Sequence, residues 1–187
     1  MGVRFHPDSA AAILRAPQHE LAGLTIGVDA VDAPLGRSLD GVRESARGDA
    51  TAARAVTAVL DRLAIHTEPA RIDPRVRRAS DVIGRHRGRV SIDRLARHVG
   101  LTRRHLERRF QMLVGVSPKR LARIVRFQRA LRVLERAGAG QRGTRTAMEC
   151  GYADQAHFVR EYRELAGCPP EAHLLRHAEL NGFYAGR

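Results

Sequence analysis

Two glycines fix the plan of this 187-residue chain. Gly100 and Gly151 stand 51 residues apart, and each ends a short amphipathic stretch. Leu95 and Val99 line one face before Gly100, and Ser91 is the N-cap candidate for Ile92–Val99. A glycine at such a point supplies the left-handed conformation that closes a helix. After each glycine come an apolar residue (Leu101, Tyr152), a short polar link and a longer arginine-bearing helix. Thr102 and Asp154 are the capping candidates for those longer helices. Leu106 and Phe110 follow Gly100 by six and ten residues, and His157 and Phe158 follow Gly151 by six and seven. Gly115, Ser117 and Pro118 mark a stop and a new start. A long helix is then predicted over Pro118–Arg136, with Leu121, Ile124, Val125, Gln128, Leu131 and Leu134 turned inward. The connector AGAGQRG, residues 137–143, separates it from the second short helix.

The same punctuation governs the residues upstream. HTEPARIDP, residues 66–74, carries two prolines and reads as a linker, with Pro74 suited to a first helical position. Val76, Ala79, Val82, Ile83 and His86 then share a face. Before the linker, Ala52, Val56, Val59, Leu60 and Leu63 align on a helix from about Asp49 to Ile65. Val3–Phe5 resembles a strand end, and His6-Pro7-Asp8-Ser9 a turn and N-cap leading into Ala10–Leu14. Residues 1–70 hold few large apolar side chains and would be marginal alone. The expected fold is all-α: two helix-turn-helix subdomains joined by a long helix, plus a short, mostly helical N-terminal segment. The expected division is 1–70, 71–178 and a tail, 179–187.

Charge separates these parts. The net charge is +13, yet residues 1–70 hold 7 basic and 9 acidic side chains while the rest hold 26 and 11. The excess belongs to the second segment alone, the electrostatic footprint of nucleic-acid binding. No apolar run is long enough to span a membrane, and MGVRFHPDSAAAILRAP has no signal-like apolar core. A cytoplasmic protein without a membrane partner is expected. Cys150 and Cys168 form no CxxC pair and read as small core residues, so neither a metal nor a cofactor is expected. Cys150, His157 and Asp154 do not make a convincing triad, because Cys150 falls on an inward face and no oxyanion or phosphate loop accompanies it. The chain is not expected to be an enzyme.

Two blocks carry a family resemblance: SIDRLARHVGLTRRHLERRFQMLVGVSPKRLARIVRFQRAL and CGYADQAHFVREYRELAGCPP. Together they resemble the AraC/XylS family of bacterial transcription regulators, over about residues 90–175. The second block comes close to the family pattern G-Y/F-x-D-x-x-x-F-x-R-x-F-(K/R)-x-x-x-G-x-x-P. The resemblance implies a sequence-specific regulator with two helix-turn-helix units on double-stranded DNA. RNA polymerase is a further candidate partner. Monomer and homodimer both remain open, with the 49–65 helix as the candidate dimer surface, and so does the effector. Three positions depart from the pattern. Gly143 and Thr146 stand where the family has apolar residues, and His173 where it has an aromatic. GVRFHPDSAAAIL is similar to the closing part of a sensor domain in some members. The alternative is a helical extension packed on the DNA-binding part.

Helical wheels at about 100° per residue assign the candidate contacts. In TRRHLERRF and its continuation, Leu106, Phe110 and Leu113 define the inward face, and Arg104, Arg108 and Gln111 lie opposite. These three are candidate base readers, since arginine offers a fork to guanine O6 and N7. Glu107 is either a cytosine reader or the partner of a nearby arginine. Arg103 and Arg109 lie at the edges, holding phosphates or the protein itself. Phe158, Tyr162 and Leu165 point inward in the second unit, leaving Arg160 as its leading reader and Gln155 as another. Thr102, Arg103, His105, Ser117, Lys119, Arg120, His157 and Arg163 are the candidate phosphate contacts. About 19 residues at ~1.5 Å each make a joining helix roughly 28 Å long, close to the roughly 34 Å between grooves one turn apart. Arg123, Arg126, Arg129 and Arg132 wind around that helix and make no single stripe, and the resemblance implies a structural Arg126. The competing function is charge-driven, non-specific nucleic-acid binding. It lacks the exposed aromatics that base stacking uses.

Overall fold

The computed structural model describes residues 5–45, 52–66, 73–136 and 142–173. Every regular element among them is a helix. They divide into two compact units. One comprises the residues up to Asp81 with Ile92–Pro118, the other Val82–Ser91 with the residues from Lys119 onward.

The first unit begins with three short helices, α1 (Ala10–Leu14), α2 (Gln18–Leu21) and α3 (Val28–Val31), followed by α4 (Ala33–Ser45) and α5 (Ala52–His66). Ile13, Leu35 and Leu63 form a small core with Phe5, Leu14, Val28, Leu39 and Val59 around it. Asp32 holds the start of α4 by accepting a 2.9 Å hydrogen bond from Leu35 N–H. Sequence periodicity foresaw α1 and α5 but not α2, α3 or α4. Gly36 and Pro34 weaken the pattern of α4, and its mean hydropathy is low, so its burial comes from tertiary packing. Phe5 is not in a strand, and residues 1–4 lie outside the described residues, as do 67–72 of the expected linker and the 179–187 tail.

Ser9 does not cap α1. Its backbone is already helical and its hydroxyl makes no cap bond. The neighbouring Asp8 is buried instead and accepts from the Arg77 guanidinium at 3.0 Å, with His6 on its other oxygen. Arg77 lies on α6 (Pro74–Arg85). Asp73 caps that helix, its carboxylate accepting from Arg75 N–H at 2.8 Å. Val76, Ala79 and Ile83 are buried as expected, but His86 is exposed because α6 ends at Arg85 and the turn carries His86 off the face.

α7 (Ile92–His98) and α8 (Arg103–Val114) follow, and α1, α2 and α7 all pack on α8. The short N-terminal helices α1 and α2 therefore lie against the first arginine-bearing helix. Gly115 closes α8 at φ +83°, where a β-carbon would stand 2.6 Å from the Gln18 carbonyl oxygen of α2.

α9 (Pro118–Arg136) is 19 residues long, as read from the sequence. α10 (Arg142–Cys150) and α11 (Gln155–Ala166) complete the second unit. Its core gathers Ala130, Leu134, Ala147, Cys150, Tyr152, Phe158 and Tyr162, with Phe127 and Leu131 against it. Gln128 is exposed, contrary to expectation, because α9 turns Phe127, Ala130 and Leu134 to this core and Gln128 falls outside their arc. Thr146, which stands where the family has an apolar residue, is fully buried like one, and its hydroxyl has no hydrogen-bond partner among the described residues. No helix among the described residues is long and apolar enough to cross a membrane.

Candidate nucleic-acid interface

The two arginine-bearing helices are built alike. Thr102 caps α8, its hydroxyl accepting from His105 N–H at 3.3 Å. Asp154 caps α11, accepting from His157 N–H at 2.6 Å. Each helix ends at a left-handed glycine, Gly115 or Gly167. From cap to glycine the match runs at an offset of 52: Thr102 with Asp154, Leu106 with Phe158, Phe110 with Tyr162, Gly115 with Gly167. The stop glycines are 51 apart, so the second turn is one residue longer. That extra residue is why counting from Gly151 aligns His157 with Leu106 and blurs the repeat.

The inward faces are tight. Leu106, Phe110, Phe158 and Tyr162 are fully buried. Arg109 and Glu161 occupy equivalent positions beside them, three residues after Leu106 and Phe158, and neither faces solvent freely. Arg109 is half-buried and ion-paired with Asp73. Glu161 is only 5% exposed and receives two arginines from α9. Arg126 donates to it at 3.0 to 3.1 Å through two nitrogens and also lies over the Tyr152 ring, 5.0 Å from its centroid. Arg123 donates at 3.0 Å to Glu161 and at 3.0 Å to Glu164. The hydrogen bond from Arg123 holds the Glu164 carboxyl below its usual range. A structural Arg126 agrees with this arrangement. Glu161 was missed from sequence, although the wheel places it at the edge of the inward face, next to Leu165. An acid there needs a basic partner, and Arg126 is that signal.

The candidate contacts separate into committed and uncommitted side chains. Arg104, Arg108 and Gln111 are exposed along α8, and no ion pair among the described residues engages either arginine. Glu107 is taken by Arg103 at 3.0 Å, and Arg103 also reaches Asp93 at 3.4 Å. This exposed hydrogen-bonded pair agrees with the pairing role for Glu107. His105 and Lys119 are exposed; Ser117 is half-buried and Arg120 exposed at the start of α9. On α11, Arg160 and Arg163 are exposed with no ion pair among the described residues. His157 stands edge-on to Tyr152 and 3.8 Å from Glu161. Gln155 accepts from the Thr144 hydroxyl at 2.8 Å. Its amide lies where a β-carbon on Gly143 would come within 2.5 Å. The departure at Gly143 therefore makes room for Gln155. His173 fills its aromatic place literally, with its ring edge-on to Tyr162 at 5.8 Å.

Two tyrosines make the second unit sensitive to alkali. Burial pushes the Tyr162 hydroxyl up to about 12, and burial assisted by Glu161 holds Tyr152 higher still. The unfolded chain ionises its tyrosines at about 10. Below that pH both states keep the proton and stability is unaffected. Between pH 10 and about 12 only the unfolded state loses protons, so stability falls as pH rises. In a Tyr184→Phe background, which leaves Tyr152 and Tyr162 as its two tyrosines, urea midpoints measured across this interval should drop, with tyrosinate absorbance appearing only on unfolding. Tyrosinate appearing in that native variant near pH 10 would contradict the burial.

A family model described as a helix-turn-helix domain matches residues 95–176. Among curated relatives, the HTH-type transcriptional regulator GbdR of Pseudomonas aeruginosa is 36% identical over 81 residues, covering 43% of this chain and 22% of that protein. The probable thc operon regulatory protein of Rhodococcus erythropolis is 33% identical over 101 residues, covering 53% of this chain and 30% of that protein. The chain thus spans less than a third of the length of either. A solved probable AraC family transcriptional regulator from Rhodopseudomonas palustris is 30% identical, covers 56% of this chain and 97% of its own, and superposes with a TM-score of 0.49. The matched segment contains both capped arginine helices and the long α9 between them, and over residues 95–176 the chain carries an AraC-type helix-turn-helix domain similar to that of these transcriptional regulators.

Proposed function

We propose that this chain regulates transcription in the bacterial cytoplasm by setting α8 and α11 into successive major grooves of a specific operator. The observation that carries the reading is the sorting of arginines. Those at the inward edges are neutralised by Asp73, Glu161 and Glu164, whereas Arg104, Arg108, Arg160 and Arg163 stand exposed and uncommitted on the two reading helices. Arg104, Arg108 and Arg160 read bases, with Gln111 beside them and Gln155 at the start of α11. Glu107 acts by fixing Arg103. Thr102, His105, Ser117, Lys119, Arg120, His157 and Arg163 hold phosphates, in part through helix N-termini. α9 at ~1.5 Å per residue is about 28 Å long, so some bending of the duplex accompanies binding at grooves roughly 34 Å apart. Residues 71–178 form the DNA-binding part, and RNA polymerase is the partner that a regulator so bound would recruit or exclude.

Selection from a random duplex pool tests this reading. Two short half-sites about one helical turn apart should emerge. Arg104→Ala should cost about 1–3 kcal/mol on the selected duplex and relax one half-site, and Arg160→Ala should do the same at the other. Equal affinity for selected and random DNA at fixed salt would establish charge-driven binding instead.

A further inference from the structure

The far side of α9 carries a second basic site. Phe127, Ala130 and Leu134 point into the α10–α11 core, and Arg123 and Arg126 close on Glu161 beside it. Arg129, Arg132 and Arg136 lie on the opposite arc of the helix wheel with Val125, and Val133 stands at the edge of that arc, where it also packs against the core. These five residues, with Gly84 and Arg87 at the end of α6, line a cleft of about 430 Å³.

Arg87 is presented there by an unusual backbone. Its φ is +55°, a conformation that non-glycine residues rarely adopt and that often marks function. The turn is locked by Arg87 N–H to Gly84 carbonyl and Gly88 N–H to Ile83 carbonyl, both 2.9 Å. Gly88, at φ +76°, lets it press on α9: a β-carbon there would stand 2.1 Å from the Ala122 carbonyl oxygen. Among the described residues no ion pair neutralises Arg87, Arg132 or Arg136, in contrast to Arg123 and Arg126 on the same helix. Arg87, Arg132 and Arg136 therefore line one cleft with no carboxylate among its lining residues, beside Arg129, which also lines it and hydrogen-bonds the Cys150 thiol.

We propose that this cleft binds a small phosphate-chain anion, a di- or triphosphate, free or esterified. Guanidinium forks match phosphate oxygens bidentately. The volume falls within the roughly 300–1,000 Å³ of small-molecule sites. Arg129 to Arg136 spans about 10 Å of helix, the reach of a phosphate chain and not of a single phosphate. Val125 and Val133 offer an apolar wall to an attached organic group. The bound anion is distinct from the operator, because Phe158 and Tyr162 turn toward α9 whereas Arg160 and Arg163 turn away from it.

Calorimetric titration of the full chain with inorganic tripolyphosphate, and separately with a nucleoside triphosphate, tests the site. Saturable one-to-one binding is expected, weakened about tenfold or more by Arg132→Ala/Arg136→Ala and, from the other wall, by Arg87→Ala. Arg75→Ala/Arg78→Ala removes the same charge from an exposed stretch of α6 and should leave the affinity unchanged. Tighter binding of the nucleoside triphosphate than of tripolyphosphate would place its organic group on the valine wall. Equal weakening by both double variants, absence of saturation, or stoichiometric displacement of tripolyphosphate by the selected duplex would overturn the proposal.

Discussion

Glu161→Ala should lower the unfolding free energy of the second unit by about 3–5 kcal/mol, the cost of breaking a buried ion pair from one side. Glu161 is 5% exposed, and its partners Arg123 and Arg126 are 23% and 17% exposed at the side chain, so truncation leaves two largely desolvated guanidiniums behind. Arg126 keeps its place over Tyr152, a contact that offsets only part of the loss. Arg123 keeps Glu164, whose side chain is 59% exposed, and such a pair contributes little. Glu161→Gln retains acceptor oxygen but no charge and should lie between wild type and alanine. Glu161→Leu combined with Arg126→Met should recover most of the loss, since a well-packed apolar pair often equals a buried ionic one. Tyrosine emission suits the measurement. The chain has no tryptophan, and Tyr152 and Tyr162 both sit in this core. An alanine variant within about 0.5 kcal/mol of wild type would show that the triad is solvated and not structural.

The same residues mark what the sequence could and could not disclose. α8 and α9 end where periodicity, Thr102, Gly115 and Pro118 place them, because capping is local chemistry written in a few adjacent residues. The outward set on α8 was legible for the same reason: Leu106 and Phe110 leave Arg104 and Arg108 no direction but outward. Partners distant in sequence were not legible. Asp73 stands 36 residues from Arg109, and Glu161 stands 35 from Arg126. A wheel ranks faces of one helix and says nothing of which acid another element delivers. Local reading also misjudged Ser9, where Asp8 rather than a cap is the ordered group, because the contact with Arg77 spans 69 residues. The short helices α2 and α3 escaped because four residues give too few repeats of a 3.6-residue period. α4 escaped because its burial on α3 and α5 is tertiary.

Phe110→Ala should cost about 3–5 kcal/mol, the range for a buried aromatic cut back to a methyl group. Phe110 is 0% exposed and lies on the face of α8 opposite Arg108. α1, α2 and α7 pack on the same helix, so few neighbours can move inward to fill the space without disturbing a second contact. A domain of this size has only about 5–15 kcal/mol of stability, so the loss is a large fraction of the total. Circular dichroism during urea titration should show the midpoint falling at unchanged native helicity. Phe110→Leu conserves most of the volume and should cost less than about 1.5 kcal/mol. The effect on DNA separates this residue from its exposed neighbours. At urea concentrations that partly unfold the variant, Phe110→Ala should weaken selected and random duplexes alike, in proportion to the unfolded fraction, because unfolding removes as a whole the helix that carries both base readers and phosphate holders. Arg104→Ala should leave random-duplex affinity nearly intact while reducing that for the selected site. If Phe110→Ala left the urea midpoint unchanged, α8 could not be the core-anchored helix described here, and the outward orientation of Arg104 and Arg108 would lose its physical basis.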